Sequence, residues 1–339
     1  MLSGHAEAIY WLGRYLERAE DSARLANVHA NLLLDLPRKY TLGWAPLIAI
    51  TGHSELFAEF YKETNERTVV RFLIADEKNP GSIISSLTSA RDNARLLRDL
   101  LPREAWEQIN VLFLSAKQEA ANSLTQAKRY DFLESVIRGA QQIYGTLAGT
   151  MSHDYPYDFL RLGLALERVD MTTRIIDVRS ANLLGAVVTP DMANADLAPF
   201  ENIQWMSVLR SLSAYHMYRR TVRGPVSHAD VLRFLLSDKY FPRSITFCLA
   251  EMDATLRRLP RSSTLARSIQ KMIDQLDHVD YDALDQPALH RYTDELQVGF
   301  GALHDQISAT YFLPGVPAQA QSQSQSQAGS PSQSQSQSS

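Results

Sequence analysis

The chain has 339 residues, 45% of them hydrophobic and 21% charged, with a formal net charge of −4. That length and balance fit one large or two ordinary globular domains and exclude a fibrous or wholly disordered chain. The acidic balance also excludes nucleic acid as an expected partner, because neutralising phosphates needs concentrated Lys and Arg.

Glycine is scarce, with 15 residues, and apolar residues recur at spacings of three and four almost throughout. An all-α fold is therefore expected. No basic leader followed by an apolar stretch opens the chain, and no apolar run approaches about eighteen residues. These absences set the expectation of a cytoplasmic protein with no membrane partner. The first helix carries Leu12, Leu16, Ala19, Ala23 and Ala26 on one stripe, with Ile9 extending it backward. A break is expected near Leu36-Pro37, then a helix from about Trp44 and a segment ending at Asp76.

Asn79-Pro80-Gly81-Ser82 reads as a turn with Ser82 capping the next helix, since proline disfavours helix before it and serine accepts from orphan amides. That helix carries Arg91, Arg95 and Arg98 on one face and stops before Pro102. Helices through Trp106 and from Arg129 to about Met151 complete a first half. The second half begins near Tyr157, with a loop from Val187 to Asn202, a turn and cap at Phe241-Pro242-Arg243-Ser244 and a last helix from Asp285 to Ile307. Cys248, the single cysteine, sits in an apolar setting and provides neither a disulfide framework nor a Cys-based metal site. The Ser/Gln repeat from 314 to 339 buries too little apolar surface to order itself.

Two stretches recur. Leu12-Gly13-x-x-Leu16-Glu17-Arg18, with Arg24 and Val28, returns as Leu162-Gly163-x-x-Leu166-Glu167-Arg168, with Arg174 and Val178: seven identities in seventeen positions. Arg71-Phe72-Leu73, Asp76, Pro80 and Ser82-Ile83 return as Arg233-Phe234-Leu235, Asp238, Pro242 and Ser244-Ile245: seven in thirteen. Ordinary composition gives about one. Trp44 answers to Trp205 between them. An internal duplication is expected, with residues 1–151 and 152–313 as two helical copies packed about a pseudo-two-fold axis, followed by the tail.

What is duplicated includes charge. Gly13, Glu17, Glu20, Arg24 and Asn27 share a helix face, as do Gly163, Glu167, Asp170, Arg174 and Asp177. Two readings stand side by side: an interhelical ion-pair network that fixes how the halves dock, or a ligand or catalytic site. A helical glycine costs about 1 kcal/mol relative to alanine, so Gly13 and Gly163 point to close contact with a neighbouring helix or a ligand. Glu17 and Glu167 are the catalytic candidates, and Glu20, Arg24, Asp170, Arg174, Arg91, Arg95 and Arg243 the substrate-binding ones. Arg91 and Arg95 suit carboxylate or phosphate but also fit a solvated face. Arg243 either faces an anion at the helix it precedes or is exposed.

The nine histidines do not recur between halves, and neither glutamate has His three residues on, so a di-iron carboxylate bundle is excluded. Walker, nucleophile-elbow and dinucleotide motifs are missing as well. No metal site and no cofactor is assigned, although Mg²⁺ held by one or two carboxylates and substrate phosphates stays open.

Tyr10-Trp11-Leu12-Gly13-Arg14-Tyr15-Leu16-Glu17-Arg18-Ala19-Glu20, Ala90-Arg91-Asp92-Asn93-Ala94-Arg95, Trp106-Glu107-x-x-Asn110, Leu166-Glu167-Arg168-x-Asp170-Met171-Thr172-Thr173-Arg174 and Phe241-Pro242-Arg243-Ser244 together resemble the bacterial Alpha-E family over about residues 1 to 313. The tail and Asp92, where the family pattern suggests Glu, depart from it. The resemblance implies association with a circularly permuted ATP-grasp protein, often with a transglutaminase-like protease. The expected role is an accessory or substrate-binding component of an amide or peptide ligase system acting on a peptide or amino acid. The alternatives are a transferase or ligase using a helix-borne glutamate as general base, and a structural dimerisation scaffold.

Overall fold

The computed structural model describes residues 2–35, 43–187 and 198–312. Among them the regular structure is helical, with no strand. The α-helices are α1 (Ser3–Asp35), α2 (Ala45–Thr51), α3 (Ser54–Phe60), α4 (Glu66–Ile74), α5 (Ile83–Leu96), α6 (Arg103–Glu119) and α7 (Gln126–Thr150). They continue as α8 (Tyr155–Val187), α9 (Ala198–Ser211), α10 (Tyr215–Thr221), α11 (His228–Ser237), α12 (Ile245–Leu256), α13 (Ser263–Asp277) and α14 (Gln286–Ile307).

Two 33-residue helices, α1 and α8, form the spine. They pack along each other; α5 and α7 flank α1, while α12 and α14 flank α8. The apolar stripe of α1 and its counterpart Leu162, Leu166, Val169, Thr173 and Ile176 on α8 are all buried. Each large apolar side chain withdrawn from water this way contributes about 1.5–3 kcal/mol, which makes the seam a main source of cohesion.

Both expected caps form. Ser82 Oγ accepts from the amide of Ser85 and Ser244 Oγ from that of Phe247, each at 3.1 Å. The turns they close bring residues 81 and 243 to the spine. The last helix starts where expected, with Asp285 as its cap, accepting from Ala288 at 2.8 Å. The helix bearing Arg91 ends at Leu96, and residues 198–202, expected as loop, already belong to α9. The expected break near Leu36-Pro37, the loop over 188–197 and the 314–339 tail lie outside the described residues. Among the described residues, no helix is long and apolar enough to cross a membrane.

Candidate functional site

The spine helices meet at their glycines. A Cβ on Gly13 would stand 2.5 Å from the carbonyl oxygen of Leu160, and one on Gly163 would fall inside the carbonyl of Tyr10. The contact is therefore backbone against backbone, and it brings the residues one turn further along within reach of the opposite helix.

There the helices exchange charges. Glu17 accepts from Arg168 of α8 through both oxygens, at 2.7 and 2.8 Å. Glu167 accepts in the same two-pronged way from Arg18 of α1, at 2.6 and 3.0 Å. Planar guanidinium and carboxylate groups suit this bidentate fit. Each glutamate takes a second arginine: Arg243 lies 2.9 Å from Glu17, and Arg14 lies 2.7 Å from Glu167. Burial alone would raise both carboxyl pKa values, but Arg168 and Arg243 around Glu17, and Arg18 and Arg14 around Glu167, outweigh it. Both sit at about 2.

The surroundings of the two glutamates differ. Beside Glu17 lie Glu20 and Asp21, both 1% exposed. Arg243, arriving from the turn before α12, reaches Asp21 at 2.8 Å and Glu20 at 3.2 Å. Arg24 pairs with Glu20 and also donates to Ser213 Oγ. One oxygen each of Glu20 and Asp21 is buried with no hydrogen-bond partner. Burial, opposed by Arg243 but reinforced by Glu17 and Glu20, lifts the Asp21 carboxyl to about 7. Tyr144 is raised well above its usual value by burial, with Glu17 and Glu20 adding to it.

Beside Glu167 the space is open. A polar pocket of about 280 Å³ lies between α1, α8 and the turns at residues 51–53 and 81. Arg14, Arg18, Arg174, Ser22 and His53 line it together with Glu167 and Asp170. Arg174 spends only its Nε on Asp170, at 3.1 Å. Burial, joined by the nearby Arg18 and Arg174, holds His53 below its ordinary pKa.

A family described as a predicted alpha-helical domain with a conserved ER motif, Alpha-E, matches residues 1–312. The chain belongs to the Alpha-E family. Its Glu-Arg pairs at 17–18 and 167–168 fit the motif in that description, and the exchange gives such a pair a physical job: the Glu and the Arg of one helix bind the Arg and the Glu of the other. An uncharacterised protein of Mycobacterium bovis is 26% identical over 287 residues, covering 79% of this chain and 31% of the relative. Uncharacterised Mycobacterium tuberculosis proteins from two strains match over the same shares at 26% and 25%. The chain thus spans under a third of the length of these relatives. No solved structure matches.

Of the residues singled out in the Alpha-E sequence, Glu17, Glu20, Arg24, Glu167, Asp170 and Arg174 gather along the α1–α8 seam, and Arg243 joins them. Arg243 faces the Glu17, Glu20 and Asp21 carboxylates of α1, neither solvent nor the end of its own helix. Arg91 turns to α6, donating to Asn110 at 2.8 Å over the Phe113 ring, and Arg95 is exposed. Neither shares a hydrogen bond or ion pair with the seam carboxylates among the described residues. Asn27 leaves the stripe for Glu134, at 2.9 Å, and Asp177 for His290, at 2.8 Å.

Helix periodicity alone does not single out Arg14, Arg18, Arg168, Asp21, Ser22 or His53, all of which the fold brings to the seam or its pocket. The repeated Glu-Arg dipeptide was the available signal for Arg18 and Arg168. Among the described residues, the His/Cys/Asp/Glu grouping close enough to hold a metal is Asp177, His290 and Asp294, whose ligand atoms lie within 4.8 Å of one another. It sits on α8 and α14, apart from the paired glutamates.

Proposed function

We propose that this chain is a substrate-binding, accessory component of an ATP-grasp-type amide or peptide ligase system. In this reading it works in the cytoplasm on a peptide or amino acid in peptide synthesis, tagging or modification, beside a circularly permuted ATP-grasp protein and a transglutaminase-like protease. The observation that carries the accessory role over the catalytic one is the state of Glu17 and Glu167. Each is buried, ionised down to about pH 2 and bound to two guanidinium groups. A general base needs a carboxylate with a free lone pair and a pKa near the working pH; these glutamates fit better as groups that position arginines. Binding then falls to the rim of the seam, to Asp170 and Arg174. That the chain spans 31% of its mycobacterial relatives agrees with a unit that works as part of something larger.

The two halves, 1–151 and 152–313, are read as copies of one ancestral unit about a pseudo-two-fold axis. Support comes from the equal lengths of α1 and α8, the mutual glycine contacts and the reciprocal Glu-Arg exchange. The same saturation of the glutamates supports a second reading, a scaffold with no ligand of its own.

Co-purification with a circularly permuted ATP-grasp protein of the same organism tests the partnership. A complex that survives gel filtration at micromolar concentration is the expected result; none at that concentration refutes it. Product formation by the reconstituted pair should drop in Arg174→Ala while the chain stays folded. Unchanged output would leave the scaffold reading standing.

A further inference from the structure

Four of the differences between the recurring motifs fall around the two glutamates, and together they invert the chemistry there. Arg14 stands where the second helix has Leu164, and Met171 stands where the first has Asp21. Gly81 stands where the second Pro-x-Ser turn has Arg243. Gly52 and Ser213, each eight residues past the matched tryptophans, end α2 and α9 with the same left-handed backbone, φ 73° and 53°.

At Glu17 the molecule fills its own site. Arg243 inserts between Glu17, Glu20 and Asp21, and the Ser213 hydroxyl takes up a donor of Arg24. At Glu167 nothing does so. Gly81 has no side chain to send in, and Gly52 leaves the Arg174 guanidinium against bare backbone, with Nη1 2.6 Å from where a Cβ would stand. The 280 Å³ pocket lies where the corresponding arm is missing.

Charge changes with shape. Around Glu17, three carboxyl groups (Glu17, Glu20, Asp21) meet three guanidinium groups (Arg24, Arg168, Arg243), 3 − 3 = 0 once Asp21 ionises above about pH 7. Around Glu167, two carboxylates (Glu167, Asp170) meet three (Arg14, Arg18, Arg174), 3 − 2 = +1. Arg18 Nη1 and both Nη atoms of Arg174 carry no hydrogen bond among the described residues. Ser22, 2% exposed and lining the pocket, has a hydroxyl with no partner, and the His53 ring lines the same pocket. Buried polar groups are ordinarily satisfied, and unsatisfied ones call for a ligand or water.

We infer that the pocket bounded by Arg18, Arg174, Ser22 and His53 is a binding site for an oxyanion, a carboxylate or phosphoryl group that takes up the surplus positive charge and the open donors of Arg18, Arg174 and Ser22. The inference deepens the substrate-binding reading above and rests on it, but it concerns the chain alone and needs no partner.

Titration calorimetry of the full chain with inorganic phosphate, and separately with the dipeptide glycylglutamate, tests it. Saturable one-site binding of at least one probe is expected. Phosphate alone assigns a phosphoryl ligand, the dipeptide alone a carboxylate, and both the shared oxyanion. Arg174→Ala, which leaves the paired glutamates untouched, should weaken binding about tenfold or more, and Ser22→Ala by less. Gly81→Arg should fill the pocket from within and abolish binding; since a side chain there first meets the His53 ring, at 2.7 Å, the Arg174 and Ser22 variants decide if it fails to fold. No saturation by either probe below about 10 mM, or affinity unchanged in both Arg174→Ala and Ser22→Ala, overturns the site. A chain that binds a probe yet never retains the ATP-grasp protein keeps the pocket and loses the partnership. The reverse result removes the pocket alone.

Discussion

The surroundings of Glu17 and Glu167 begin from the same short motif and end as different chemistry. The first is filled by the molecule's own Arg243 and balanced in charge once Asp21 ionises, with three carboxyl groups and three arginines drawn from α1, α8 and the turn before α12. The second keeps the exchange but exchanges arm for glycine and carboxylate for methionine, leaving a positive cleft. The difference separates two jobs that a charged helix stripe can hold together: the paired glutamates fix the helix crossing, and the residues around them decide whether anything else can enter.

The largest effect should come from the closed side. Glu17→Gln leaves Arg168 without its buried counter-charge and Arg243 with only Glu20 and Asp21, and removing one partner of such a pair costs about 3–5 kcal/mol. Glu167→Gln should cost less, because Glu167 itself lines the 280 Å³ pocket, where water can take the place of its carboxylate, whereas Glu17 is walled in beside Glu20 and Asp21. Denaturant unfolding of the two variants measures the contrast; equal losses would show that the surroundings are energetically alike.

Next in size is the crossing itself. Gly163→Ala adds a methyl group into the Tyr10 carbonyl, and overpacking of this kind costs about 1–3 kcal/mol. Alanine would gain about 1 kcal/mol in an unhindered helix. A stabilised Gly163→Ala variant, seen as a higher Tm, would mean the helices do not meet there.

A smaller contrast appears with pH. Asp21 is raised from 3.8 to about 7 in the fold, so the native state holds its proton more tightly than the unfolded chain. Its contribution to stability is present below about pH 4 and fades as pH rises through 7. Glu17 and Glu167 are lowered from 4.5 to about 2 and act in the opposite sense: their contribution is present above 4.5 and fades as pH falls toward 2. Asp21→Asn should therefore flatten the stability profile between about pH 5 and about pH 8 while leaving the acid limb intact. A wild-type-like slope in that window would place the titration elsewhere. Smallest of all should be the stability cost of Arg174→Ala, at most about 1 kcal/mol, because a partly exposed i,i+4 pair contributes little; a larger loss would tie the pocket rim into the core.

Helix content, caps and the buried stripes were legible because each leaves a local mark: a spacing of three and four, a serine before an amide, a proline before a boundary. The face shared by Glu17, Glu20 and Arg24 was legible for the same reason, and the i,i+4 pair it implies does form. Arg18 and Arg168 escaped that reasoning. Adjacent helix residues do not share a face on an isolated helix, and only the close approach at Gly13 and Gly163 lets a long arginine next to one glutamate reach the other. His53, Gly52 and Gly81 come to the pocket through turns, where periodicity has nothing to say. The swap of Gly81 for Arg243 inside an otherwise matched motif was visible in the sequence, but its meaning depends on knowing that both positions face the spine.

The exchange also dictates an order of assembly. The bidentate partners of Glu17 and Glu167 lie 149 to 151 positions away along the chain, and Arg243 reaches Asp21 from 222 positions away. On a ribosome, α1 emerges before its partners with its carboxylates uncovered and stays unfinished until α8, and then the turn before α12, have followed. Contacts this distant in sequence make folding slow, and α1 becomes a permanent spine only when α8 and the turn before α12 have joined it.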